Sequence, residues 1–136
     1  VHYRGSTVGV PIFGLRYSEQ TEFQLEIGKS YRVLAMDLFQ AGLNVLVVDE
    51  TGKPNWLPVV LFEIEPQPLP GHWEFALLDP AVASGNAPPT GWGAIWGYPE
   101  IVRNHPVHHV GVVEREVDDL RIAYRELDRA DADEDE

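Results

Sequence analysis

YRVLAMDLFQAGLNVLVVDETGKPNWLPVVLFEI, residues 31–64, is the stretch whose reading decides the fold. It holds three apolar runs rich in Val, Leu and aromatics, separated by Ala41-Gly42 and by Asp49-Glu50-Thr51-Gly52-Lys53-Pro54. Runs of this length between turn residues predict antiparallel strands joined by hairpins. The middle run, Leu43-Asn44-Val45-Leu46-Val47-Val48, is apolar at almost every position, so both faces of that strand should be covered. It is also short and Val-rich, which favours strand over helix. Asp37 interrupts the first run. An unpaired carboxylate is costly to bury, so the simplest expectation puts Asp37 on the solvent face.

Pro58 has no amide hydrogen to donate, so a regular central strand should not run through it. A strand ending at a one-turn helix and resuming as a short strand fits better. Trp56-Leu57-Pro58, then Val59-Val60-Leu61, then Phe62-Glu63-Ile64 resembles the end of an SH3-like barrel, where a strand carrying a W/F-x-P element leads into a 3₁₀ turn and a final short strand. The resemblance implies a small antiparallel barrel over residues 21–78. It does not extend to the peptide-binding groove of SH3 domains, because no ALYDY-like element precedes Tyr31. Trp56 is expected in the core.

Moving outward, residues 21–27 (TEFQLEI) alternate cleanly, which points Phe23, Leu25 and Ile27 inward from a half-exposed strand. Residues 72–78 (HWEFALL) alternate again and predict a fifth strand, closing or extending the sheet, with Trp73, Phe75 and Leu77 on one face. Residues 1–20, with Gly5, Gly9, Pro11 and Gly14, read as an arm across the barrel or a leading strand at 7–13. The Pro-rich residues 65–71 read as a rigid connection.

Residues 79–97 read as a long loop carrying an aromatic cluster, Trp92, Trp96 and the adjoining Tyr98. A helical extension is expected over 98–130. Pro99 starts a short helix and Asn104-His105-Pro106 stops it. Further on, Val113, Val117, Leu120, Tyr124 and Leu127 recur at helical spacing, with Arg115–Asp119 and Glu126–Arg129 as wet-side pairs. Residues 131–136 (DADEDE) read as a disordered acidic tail. The fold class expected is therefore α+β: mainly β, an SH3-like barrel, with C-terminal helices.

The 136 residues suffice for one domain with its own core. The absence of cysteine excludes disulfides, thiolate-bound zinc and thiol catalysis, and fits the cytoplasm. No run approaches a membrane span and no signal segment opens the chain. Ten Lys and Arg against 22 Asp and Glu give a net charge of −12, which argues against a nucleic-acid partner. Eleven of those acids lie from Glu114 onward.

His105, His108 and His109 form the one cluster that invites catalysis or metal binding, with Glu100 or Glu114 as an added carboxylate. Pro106, however, interrupts any helix that would present His105 and His109 on one face, and no HExxH signature is present. Ser6, Ser18, Ser30 and Ser84 stand in no G-x-S-x-G elbow. No cofactor, metal or catalytic residue is assigned. In composition the chain is similar to bacterial immunity proteins, which neutralise a basic toxin by covering it. That similarity implies a non-catalytic domain binding a basic protein, with Trp92, Trp96 and Tyr98 as aromatic anchors and Asp37, Asp49 and Glu50 as charged neighbours. Homodimerisation through the C-terminal helix is a further option. The alternative is a small enzyme or ligand-binding domain using the 92–109 region.

Overall fold

A computed structural model describes residues 24–26, 28–39, 42–63, 68–85 and 91–134, plus short strands at 2–3, 11–12 and 15–16; from residue 130 on, only the backbone is described. The fold is α+β, an antiparallel five-stranded sheet with C-terminal helices. Before the sheet come β1 (His2–Tyr3), β2 (Pro11–Ile12) and β3 (Leu15–Arg16), with β2 and β3 forming a hairpin. Then follow β4 (Ala35–Phe39), β5 (Gly42–Val48), β6 (Pro54–Pro58), a 3₁₀ turn (Val59–Leu61) and β7 (Phe62–Glu63), which pairs with β1. β8 (Glu74–Leu77), α1 (Pro80–Ala83), β9 (Trp92–Gly97), α2 (Pro99–Arg103), α3 (Val107–Val113) and α4 (Val117–Glu134) complete the chain. The sheet order is β6-β5-β4-β9-β8.

The opening stretch folds much as its pattern dictates. β5 lies between β4 and β6, and Val45, Leu46 and Val47 are fully buried, because apolar layers cover both faces. The 3₁₀ turn begins directly after Pro58. On one face, Leu46 and Ala35 join Ile95, Tyr98, Ile101 and Val112 in a core roofed by the helices. On the other, Val45 and Val47 pack with Tyr31, Leu61 and Phe62. Trp56 packs partly buried on the helix side. Trp56→Ala is expected to cost about 3 kcal/mol, the lower end for such truncations because the ring is not fully enclosed. An unchanged melting temperature would refute that placement.

Several expectations change. The sheet does not end at Leu78: the aromatic segment expected in a loop is β9, hydrogen-bonded between β4 and β8. β8 turns its Phe75 and Leu77 face to solvent. The register pairs Ala76 with Ile95, so Ala76 packs on the core while Phe75 and Leu77 stand 52% and 56% exposed. Alternation sets a period but does not say which parity points inward. The start of the expected loop is α1, with Asp79 as N-cap accepting from the amides of Ala81 and Val82, and Pro80 opening the first turn. Of the strand expected at 21–27, Gln24, Leu25 and Glu26 are described and lie outside any strand, with Leu25 packed partly against the core. Its other positions, the 65–67 connection and most of the N-terminal arm lie outside the described residues.

The long helical pattern divides into two helices. A break at 114–116, where Arg115 adopts φ 63°, separates α3 from α4 and leaves Val113 and Val117 exposed. The inward face of α4 carries Ala123 and Glu126, with Ile122 and Leu127 beside them. Neither expected ion pair forms among the described contacts. Arg115 reaches the carbonyl of Pro54 and Asn55 Oδ1, and Asp119 meets His108. Glu126 faces His72, whose Nε2 stands 3.4 Å from Glu126 Oε2. α4 stays helical through 131–134, residues expected in the acidic tail. No helix among the described residues is long and apolar enough to cross a membrane.

Candidate functional site

α3 gathers the chemistry-bearing side chains. His108 and His109 are buried, and the helix packs against β6, α2 and α4. Adjacent positions on a helix diverge by about 100°, so the two imidazoles enter different surroundings.

His108 enters a hydrogen-bonded chain. Its Nε2 lies 2.8 Å from the Tyr98 hydroxyl and its Nδ1 lies 2.8 Å from Asp119 Oδ1. A carboxylate only accepts, so Nδ1–H donates to Asp119, and in the neutral imidazole Nε2 then accepts from the Tyr98 O–H. Burial, reinforced by the nearby charge of Glu126, pushes the Tyr98 phenol well above its ordinary range, which keeps it a protonated donor. The residue types match a relay, but Tyr98 is 1% and His108 0% exposed. A reacting group there would meet no substrate; the chain ties the end of β9, α3 and α4 together.

His109 enters a second cluster, on the helix side of the sheet. Its Nε2 lies 3.2 Å from Asp37 Oδ2, and Asn44 Nδ2 donates to Asp37 Oδ1 at 2.9 Å. Asp37 is thus 2% exposed and paired, not on the solvent face. The β4–β5 register explains this: Asp37 lies opposite Asn44, and both project from the face that α3 covers. Aromatic rings enclose the pair. Trp56 stacks on His109 at 4.6 Å, and Trp92 meets His105 and His109 edge-on at 4.9 and 5.0 Å. His105 and His109 come within 5.4 Å of each other, ring centre to ring centre, although Pro106 separates the helix from His105. Trp56 Nε1, Trp92 Nε1, His105 Nε2 and His109 Nδ1 are buried without a hydrogen-bond partner. Buried polar atoms are normally paired, so four such nitrogens on touching rings single out this spot.

Burial, with the neighbouring His109, holds the His105 imidazole below its ordinary value. The folded state therefore resists protonating His105, and the unfolded chain takes up that proton first as pH falls. Its contribution to stability is complete above the unfolded value of 6.5 and is lost as pH drops through the lower folded value. His105→Gln should flatten the decline of stability with acidification in that window. Parallel pH profiles for the two proteins in urea denaturation would show that His105 titrates freely.

The residues expected to form one interface are dispersed. Tyr98 and Asp37 are interior, and Trp92 is half-buried in the histidine cluster. Asp49 is buried and organises the β5–β6 turn, accepting from Thr51 N and Lys53 N at 2.9 and 3.2 Å and from the Asn55 amide. Glu50 is exposed but occupied: Lys29 and Tyr31 donate to its Oε1, and these bonds hold its carboxyl below the usual carboxylate range. Trp96 lies half-buried against Phe75 at 5.0 Å, on the sheet face away from the histidines. Among the described residues, no group of three His, Asp or Glu side chains is placed so that it could hold a metal ion.

The surface features that sequence reasoning missed are apolar. Val107, Val110 and Val113 lie along the outer side of α3, and Val117 opens α4; the four are 65%, 44%, 56% and 67% exposed. Val113 and Val117 belong to the stripe expected over 113–127, whereas the i, i+3, i+6 spacing of Val107, Val110 and Val113 is a signal of its own. Comparison with known proteins brings no relative: no family model, no curated protein and no solved structure matches the chain.

Proposed function

We propose that this is a non-catalytic binding domain, built on an SH3-like barrel, that recognises a basic protein. A basic toxin held inactive by an immunity-type contact would be one such partner. The observation that carries the reading is the division of α3: its imidazoles are spent inside the fold, while its outward face is aliphatic and the chain bears a charge of −12. Apolar contact supplies affinity in such interfaces, and charge complementarity mainly speeds association. The contact centre therefore moves from Trp92, Tyr98 and Asp37 to side chains that solvent reaches.

A second reading, a small ligand-binding or catalytic site, is favoured by the four unpartnered nitrogens around Asp37 and His109. One experiment separates the two. The partner that co-purifies from the cells of origin is isolated and titrated calorimetrically, alongside an assay for turnover. The binding reading expects saturable association with a basic protein, an on-rate that falls as salt rises, and no turnover. Small-molecule conversion abolished by His105→Gln or His109→Gln would replace it with the second reading.

A further inference from the structure

We infer that the outer face of α3, continued onto the first turn of α4, is the docking site for an amphipathic basic helix of the partner. The inference rests on the binding reading above and names its surface.

Three physical observations meet there. Val107, Val110 and Val113 recur every three residues, which aligns them along one side of the helix, and Val117, also exposed, opens α4 just after the 114–116 break. Valine is a poor choice for an exposed helical position, since its branched side chain lowers helix propensity, and here 44–67% of each residue stays in solvent. Contiguous exposed apolar surface of this kind marks contact sites. Next, Glu114, Glu116 and Asp118 follow α3 directly in the chain, all exposed, the last with a side chain 93% accessible. Finally, Arg115, the cation between Glu114 and Glu116 in the chain, hydrogen-bonds the Pro54 carbonyl and Asn55 Oδ1 and not those carboxylates. Arg121 offers Asp118 only a long contact at 3.6 Å.

An apolar strip about two helical turns long with an acidic end fits a partner helix with apolar residues at three- and four-residue spacing and Lys or Arg beside them. A second copy of this chain fits less well. A two-fold contact places the same patch on both sides, so the strip's carboxylates would face their own kind. An anionic membrane is repelled for the same reason.

The test uses the full chain and a fluorescently labelled Leu/Lys amphipathic peptide about five turns long, with a Leu/Glu peptide of the same apolar spacing as control. Anisotropy should show saturable binding of the Leu/Lys peptide, weakening as salt rises from about 50 to about 300 mM, and none of the control. Val110→Asp combined with Val113→Asp should weaken binding by about tenfold or more. Val110→Lys, which keeps the helix and adds like charge against the peptide, should do the same. Both positions are exposed, so the variants should fold, and thermal melts of each are recorded alongside the binding curves. Binding of the Leu/Glu peptide as tightly as of the Leu/Lys peptide would overturn the inference, as would full binding by both valine variants. If the loss appears instead in Phe75→Asp/Leu77→Asp, the site is wrong and the basic-partner reading stands. If neither the Leu/Lys peptide nor the purified partner binds, and turnover is found, the reading itself fails.

Discussion

Asp37→Ala is expected to destabilise the fold by about 2–6 kcal/mol, from about 1–3 kcal/mol for each of the two buried donors it would leave unsatisfied. The side chain is 2% exposed and its two oxygens serve two elements, Asn44 on β5 and His109 on α3. Truncation would leave a buried amide donor and a buried imidazole N–H without acceptors, beneath rings that exclude water. Much of the cost is therefore the penalty on the groups left behind. This gives a sharper check than the single variant. In urea denaturation, Asp37→Ala with His109→Ala should be destabilised by clearly less than the two single changes added together. Simple additivity would mean that Asp37 and His109 do not interact. Asp37→Asn keeps an acceptor and similar shape, so it should fall between wild type and the alanine variant.

Gly111→Ala should also be destabilising, by about 1–3 kcal/mol, against the sign that helix propensity alone gives. In an open helix the change would stabilise by about 1 kcal/mol. Here a Cβ on Gly111 would lie 1.8 Å from Asp119 Oδ2 and 2.3 Å from Asp119 Cγ. The carboxylate must leave, taking with it the acceptor of His108 Nδ1, and His108 is completely buried. A buried donor left unsatisfied costs about 1–3 kcal/mol. If that mechanism is right, Gly111→Ala should cost much less once Asp119 is already alanine, because the carboxylate clash and the hydrogen bond are gone and only the Cβ at 119, 3.0 Å away, still crowds the new methyl. A Gly111→Ala protein as stable as wild type would show that Asp119 does not pack against α3 there.

Gly97 is a similar case of close approach, with φ +154° and a hypothetical Cβ 2.7 Å from Ala35 Cβ. Both glycines lie where the helical layer comes nearest to its neighbours, one at the exit of β9 and one at the α3–α4 contact. Neither is marked by a turn signature in the sequence. They differ in that respect from Gly52, which sits at φ +79° in the Asp49-organised turn that Asp-Glu-Thr-Gly-Lys-Pro announces.

The sequence by itself determined the elements that local chemistry controls. The apolar run of β5 meant burial on both faces, Pro58 meant a strand end and a turn, and Pro99 and Asn104-His105-Pro106 bounded α2. Asp79-Pro80 carried an equally local helix-start signal that was readable and passed over. Tertiary structure alone decided what depends on pairing and docking. An alternating strand does not reveal which parity is inward, so the exposure of Phe75 and Leu77 waited on the β8–β9 register. A valine periodicity does not reveal whether anything covers it, so Val113 and Val117 became surface once Arg115 broke the helix and left α4 to bury a different face. The candidate site was the least legible of all. His109 finds Asp37 across 72 positions of sequence, and Trp56 and Trp92 come to it from separate strands. An isolated carboxylate in a strand reads as solvent-facing because burial without a partner is costly. Its partner arrived with a helix that follows the whole sheet in the chain, so long-range packing reversed the local inference.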